Sequence, residues 1–248
     1  MRVTFLGTGS AMPAGDRNQT GLLLEAGETT LLVDCGSGVL RALANTDAGY
    51  EAVDTVLLTH HHLDHVSDLF PLLKARWLAG EEHLTVVGPE GTDALVEGLF
   101  DVHEYLRDRV DLTLREVTPG RFELAGFDVE AVETVHSMYC LAYRFAHADA
   151  DGDFCFSGDS EATDAVADLA DGARVLAHDC SFPDEIDVSN HPTPSALGET
   201  LAGRAIEQLY LTHLYPHTDG KHRKMVESVR EAFDGEIRVA RDGAEVKI

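Results

Sequence analysis

The sequence predicts an α/β fold, and three observations carry that expectation. Short apolar or alternating strands recur along the 248 residues, with helical stretches between them. Several of these strands end on single histidines or aspartates, residues that can bind metal. No stretch has the composition of a linker, a low-complexity tract or a solenoid repeat, so the chain reads as one domain over 1–248. That length is ample for a sizeable core.

The elements follow in order. The opening Arg2-Val3-Thr4-Phe5-Leu6 reads as a strand over 2–6 rather than a leader peptide, because no apolar segment follows it. Strands are expected over 20–26 and 29–34, then over 53–58, where Val53-Asp54-Thr55-Val56-Leu57-Leu58 has the look of a buried strand. Others are expected over 84–87, 112–118, 122–134 and 140–146, the third of these containing the alternating run Phe127-Asp128-Val129-Glu130-Ala131-Val132. The last group is 153–157, 174–178, 208–212, 236–240 and 244–248. Helices are expected over 38–44, 66–79, 90–105, 161–171, 194–205 and 220–232. The fifth has the best start signal, with Thr193 as N-cap candidate and Pro194 at its first position.

The chemistry concentrates in Thr59-His60-His61-His62-Leu63-Asp64-His65, directly after the 53–58 strand. Side chains alternate along an extended chain, so His60 and His62 can point at one spot. The chain then turns towards a helix, and Asp64 and His65 leave in another direction, so one short loop can serve two metal ions. Neutral imidazole suits zinc, and a carboxylate suits zinc or a harder ion. Three more strand ends add His136, Asp159 and His213. Each alone is weak, since a lone histidine is usually structural and a Gly-Asp is usually a turn. Together they offer a third imidazole for one metal, a bridging carboxylate, and a third ligand for the other.

This order, HxHxDH followed by His, Asp and His, resembles the metallo-β-lactamase superfamily over nearly the whole chain. The opening Gly7-Thr8-Gly9-Ser10-Ala11-Met12-Pro13, with Arg17-Asn18-Gln19-Thr20 after it, is similar to the ribonuclease Z and phosphodiesterase branch. Leu32-Val33-Asp34-Cys35-Gly36 matches the first superfamily motif, and Ala240-Arg241-Asp242-Gly243 looks like that branch's last turn. The resemblance implies an αβ/βα four-layer sandwich of two sheets. It implies two zinc ions sharing a hydroxide, with manganese or iron(II) as other acceptable metals. One ion would take His60, His62 and His136, the other Asp64, His65 and His213, with Asp159 bridging and Asp34 supporting the site from behind. Asn190-His191-Pro192-Thr193 stands where the branch carries His-Ser-Thr, which makes His191 the general-acid candidate. His191, Asp64 and Asp159 are thus the expected catalytic residues. Asp179 and Pro192 depart from the branch's Glu and Ser, and His178 reads as structural.

The resemblance implies a phosphodiesterase acting on a small or cyclic phosphodiester. The alternatives are a tRNA 3′-endonuclease, with RNA as substrate, and a lactone or thioester hydrolase. Only 22 residues separate His136 from Asp159, too few for the long basic arm of the bacterial-type tRNA enzyme. Asp159 in place of Cys argues against a β-lactamase, and the imidazole-rich ligand set against a flavodiiron oxidoreductase. All seven ligand positions are filled, which argues against a non-catalytic scaffold. A homodimer is an expected partner arrangement.

Composition adds boundaries. Net charge is −25, from 44 acidic and 19 basic residues, and only four of the basic residues are lysines. Such density of carboxylates suits a salt-adapted organism, where salt screens self-repulsion. The run Asp149-Ala150-Asp151-Gly152-Asp153 reads as a solvated acidic turn, since it lacks the length and closing Glu of a calcium loop. Gly7 and Gly9 are not a dinucleotide fingerprint, because Met12 stands at the third glycine position, and no P-loop or GxSxG elbow occurs. No run approaches a membrane span. Cys35, Cys140, Cys155 and Cys180 show no CxxC spacing and read as buried thiols of a cytoplasmic protein.

Overall fold

The computed structural model describes residues 1–186 and 188–248. The chain begins with strands β1 (Arg2–Gly7), β2 (Gly21–Ala26) and β3 (Thr29–Val33), then helix α1 (Val39–Leu43) and β4 (Thr55–Leu57). Helices α2 (Leu63–Val66) and α3 (Leu69–Ala79), strand β5 (His83–Gly88), helix α4 (Thr92–Val102) and strand β6 (Asp111–Glu116) follow. The second half runs β7 (Gly120–Leu124), β8 (Phe127–Glu133), β9 (Leu141–Ala146), β10 (Phe154–Phe156), α5 (Asp164–Ala170) and β11 (Val175–Asp179). It ends with α6 (Pro194–Leu201), β12 (Gln208–Thr212), α7 (His222–Arg230), β13 (Glu236–Val239) and β14 (Glu245–Lys247).

Two seven-stranded sheets result, ordered β14-β1-β2-β3-β4-β5-β6 and β13-β12-β11-β10-β9-β8-β7. Each is mixed: β14 to β3 pair antiparallel and β3 to β6 parallel, while β7 to β10 pair antiparallel and β10 to β13 parallel. The sheets face one another across Phe5, Leu24, Val33, Phe127, Tyr143 and Phe156. Leu23, Leu32 and Val56 point the other way, against α1, α3 and α4, and Leu176, Leu209 and Leu211 do the same against α5, α6 and α7. Helix, sheet, sheet, helix is the αβ/βα four-layer sandwich expected above. Because both faces of the inner strands are covered, they read as apolar runs rather than alternations.

Two elements depart from expectation. The single strand expected over 122–134 is a tight hairpin, β7 and β8, turning at Ala125 (φ 45°) and Gly126 (φ 75°). Two consecutive positive φ values match the right-handed twist of a two-residue hairpin, and an alanine there conceals the turn. The helix expected over 66–79 is broken at Ser67 and Asp68. Asp68 leaves the helical path and its Oδ2 accepts from the N–H groups of Gly38 and Leu40, at 2.9 and 3.0 Å, satisfying the free start of α1.

The fold gathers polar residues at one edge. Asp34, Thr59, Asp159 and His213 lie within three residues past the ends of β3, β4, β10 and β12, His136 lies just past β8, and Asp179 is the last residue of β11. Ligand sites of open α/β sheets form at such strand ends. Gly36 makes the crowding feasible, since a Cβ there would stand 2.0 Å from the Asp64 carbonyl oxygen. The two terminal motifs also meet here. Asp242 accepts from the Thr8 N–H (3.0 Å) and hydroxyl (2.6 Å) and from the Asn18 N–H (2.6 Å). The loop between them is joined to the residue after His213 by the bridge Gly9–Leu214.

Candidate metal centre

His60 and His62 lie on the extended chain leaving β4, and the Nε2 of His60 is 3.0 Å from the Nδ1 of His62. His136, from the loop after β8, places its Nε2 3.1 Å from the same His62 nitrogen. Three ring nitrogens therefore converge. A second group forms from Asp64, His65 and His213, with the His213 Nε2 3.1 Å and the His65 Nε2 3.8 Å from Asp64 Oδ2. Asp159 stands between the groups. Its Oδ2 is 3.7 Å from both His60 and His136 Nε2 and 3.3 Å from His213 Nε2, and its Oδ1 is 3.2 Å from His65 Nε2. All seven residues expected as ligands thus come together.

The outer nitrogens of four of these rings are occupied. His65 Nδ1 donates to Asp34 Oδ2 at 2.7 Å. His60 Nδ1 donates to the Thr59 hydroxyl (3.0 Å), which itself donates to Asp34 Oδ2 (2.8 Å), while the Thr59 N–H donates to Asp34 Oδ1 (2.8 Å). His213 Nδ1 donates to the Ser181 hydroxyl at 2.9 Å, and Ser181 donates to Asp179 Oδ1 at 2.6 Å. His136 Nδ1 donates to the Asn190 carbonyl at 3.2 Å. These bonds orient the four rings and turn each Nε2 towards the centre.

The donor set fits two divalent cations. His65 Nε2 and Asp159 Oδ1 are fully buried and have no hydrogen-bond partner, which is costly unless something charged meets them. Three imidazoles plus a carboxylate, and two imidazoles plus two carboxylates, are zinc-type ligand sets. The four cysteines are buried and free and belong to neither group. Asp34, fully buried at the end of β3, lies behind the ligands as the family pattern implies.

A further compact group, Asp159, Asp179, His191 and His213, is a hydrogen-bond network. Asp179 Oδ2 accepts from His191 Nδ1 at 2.7 Å, and Oδ1 accepts from both the N–H (3.1 Å) and hydroxyl of Ser181. Burial works against the Asp179 carboxylate, yet His191 and His213 pull it down to about 2. The same contact raises His191 above the ordinary imidazole value in spite of its burial. Sequence reading identified His191 but registered Asp179 only as a departure from Glu. The two are 12 positions apart, and no spacing rule joins them. The cap of α6 is Thr193, whose hydroxyl accepts from the Ala196 N–H at 3.3 Å, so His191 is not needed there. His178 is buried with its Nδ1 on the Asp179 carbonyl (2.8 Å), a structural placement. Tyr215, which also faces the centre, carried no sequence signal.

Protons and metal ions compete for the same ring nitrogens. Burial disfavours an imidazolium at His65, but Asp159 and Asp34 raise it to about 10. Burial likewise opposes charge at His213, which Asp159, Asp179 and Asp64 nonetheless raise well above its ordinary value. His65 therefore carries a second proton at pH 7.5, which coordination through Nε2 must expel, and His213 is shifted in the same direction. Zinc titrated into chelator-treated protein should release about one proton or more per chain at pH 7.5, and fewer as pH rises through 10, where His65 loses its second proton. Calorimetry in buffers of different ionisation enthalpy measures the count. Release near zero would contradict these assignments.

Comparison with known proteins identifies the family. A family described as "Anti-Pycsar protein Apyc1" matches residues 1–229. Ribonuclease Z of Methanopyrus kandleri is 30% identical over 281 residues, covering 98% of this chain and 96% of that protein. The probable metallo-hydrolase YhfI of Bacillus subtilis is 28% identical, covering 98% of each chain. Its crystal structure, described as a metallo-β-lactamase fold protein, superposes with a TM-score of 0.85 over 99% of this chain and 98% of that one, at 26% identity. Human tRNase Z, short form, shares the fold at a TM-score of 0.81 and 21% identity, over 100% and 99% of the two chains. The chain belongs to the family described as Anti-Pycsar protein Apyc1, within the ribonuclease Z-like branch of the metallo-β-lactamase superfamily.

Proposed function

We propose that this metal-dependent hydrolase is a dinuclear phosphodiesterase acting on a small or cyclic phosphodiester. The observation that carries the reading is the shape and lining of the one cavity that both ligand groups share. It measures about 390 Å³ and is faced by His62, Asp64, His136, Asp159, His191 and Tyr215, with no lysine or arginine among its described lining residues. That volume suits a small ligand. A polyanion would need cations along its path, whereas this chain carries a net charge of −25. When bound, two zinc ions would supply a water-derived nucleophile near neutral pH and positive charge for the developing oxyanion.

The chain's own residues do the rest. Asp159 and Asp64 hold the two ligand groups in register across the cavity. Asp179 holds His191 by Nδ1, which leaves Nε2 as the nitrogen open to a substrate. A protonated His191 gives its proton to the departing alkoxide. Burial of Asp179 keeps that pairing strong, because little water competes for it.

A second reading, tRNA 3′-end cleavage, is favoured by the 30% identical relative named ribonuclease Z. Against it, the 22 residues between His136 and Asp159 form only β9, the acidic turn and β10. Parallel assays on precursor tRNA and on cyclic nucleotides separate the two readings. A lactone or thioester in the same panel tests the remaining alternative, because a proton donor at His191 would serve an ester's alkoxide as well. Salt adaptation belongs to the same proposal.

Two outcomes are expected. His191→Ala should lower kcat on a 3′,5′-cyclic nucleotide by roughly 10²–10⁴, and by less on bis-p-nitrophenyl phosphate, whose leaving group needs little protonation. Bound zinc should be unchanged. Equal losses on both substrates would remove the proton-donor role. Thermal melting should shift upward from low to molar KCl, because salt screens self-repulsion. A flat or falling Tm would contradict salt adaptation.

A further inference from the structure

We propose that Glu161 is a positioning residue that sets His136 and His191 together through the backbone of Asn190. The inference rests on the reading of His136 as a ligand and His191 as the proton donor.

Three segments meet on Glu161. It lies two residues beyond Asp159, and its own N–H donates to the Val135 carbonyl at 2.9 Å, next to His136. Its carboxylate Oε1 accepts from the Asn190 N–H at 2.8 Å, next to His191. Its carbonyl accepts from the Ser160 hydroxyl at 2.6 Å, beside Asp159. One residue therefore joins the loops bearing the third histidine, the bridging carboxylate and the proton donor.

Asn190 converts that junction into orientation. It has φ of 75°, in the left-handed region that asparagine tolerates better than most residues. Its carbonyl accepts from His136 Nδ1 at 3.2 Å. The N–H and carbonyl of Asn190 belong to the two peptide planes that flank its Cα. Holding one on Glu161 and the other on His136 pins both dihedrals, and so fixes the direction in which His191 leaves. His191 then reaches Asp179 at 2.7 Å. The Asn190 side chain takes no part, since its Nδ2 reaches only the Ser189 hydroxyl at 3.3 Å. Without Glu161 an unpaired N–H and a left-handed residue remain, and the peptide is free to turn. Both His136 and His191 lose alignment in that turn.

The test uses full-length zinc-loaded protein carrying Glu161→Ala or Glu161→Gln. Turnover is read on a 3′,5′-cyclic nucleotide and on bis-p-nitrophenyl phosphate, and zinc retention is read against a competing chelator. Glu161→Ala should lower kcat on the cyclic nucleotide by roughly 10–100-fold, lower it less on the activated diester, and loosen zinc by a similar factor. Glu161→Gln keeps an acceptor oxygen and should retain most of both properties. In a His191→Ala background held at saturating zinc, Glu161→Ala should lower kcat on the cyclic nucleotide by less than it does in the parent, because the share of its effect that runs through His191 is already gone. If the alanine variant does not fold, Glu161→Asp, which withdraws the acceptor by one methylene, carries the same expectations. An alanine variant that matches the parent in both readouts overturns the proposal. So does a glutamine variant as impaired as alanine. If His191→Ala itself shows no leaving-group dependence, the phosphodiesterase reading fails, while zinc retention still decides the role of Glu161.

Discussion

The structure turns on a crowd of imidazoles and carboxylates at the ends of its strands. Five ring nitrogens and two carboxylates converge at the strand ends, and Asp159, 2% exposed, lies in the middle with one oxygen unpartnered. Such crowding is costly, because buried polar groups have given up water. Protons on rings such as His65, raised to about 10 beside Asp159 and Asp34, offset part of that cost, and cations would take the place of those protons. The fold carries that cost by locking four of the five imidazoles from behind, which limits relaxation by rotation of those rings. A metal ion then binds to a prepared site.

The locking has the same form in both halves. Asp34, at the end of β3, accepts from a backbone N–H, a threonine hydroxyl and an imidazole. Asp179, at the end of β11, accepts from a backbone N–H, a serine hydroxyl and an imidazole. Thr59 relays Asp34 to His60, and Ser181 relays Asp179 to His213. The difference lies in the imidazole held directly. In the first half it is His65, aimed at the ligand group. In the second it is His191, outside the seven ligands. On the function proposed above, one buried carboxylate would support metal binding and its counterpart proton transfer. Backbone strain is placed to match, since Asp34 and His213 both adopt positive φ, 59° and 57°, where a strand ends and the chain must turn sharply into the site.

Much of this was legible in the sequence. The spacing of His60 and His62 follows from the two-residue repeat of an extended chain, so their convergence needed no tertiary knowledge. The α/β layering was legible for the same reason, because covered strands such as 53–58 are apolar on both faces. What escaped reading depends on distant pairing. The hairpin at Ala125-Gly126 was hidden because alanine gives no sign of a positive φ. The break before Leu69 was hidden because Asp68 turns to cap α1, some 30 residues back in the chain. Glu161 and Asn190 could not be found either, since they act through backbone groups that every residue possesses.

The central claim is that Asp159 joins two cation sites in one cavity. Anomalous X-ray diffraction from zinc-loaded crystals, collected on either side of the zinc edge, tests it most directly. Two peaks about 3.5–4 Å apart are expected. One should lie among His60, His62 and His136, the other among Asp64, His65 and His213, with an Asp159 oxygen reaching each. A single peak, or two peaks of which one lies away from Asp159, would contradict the account.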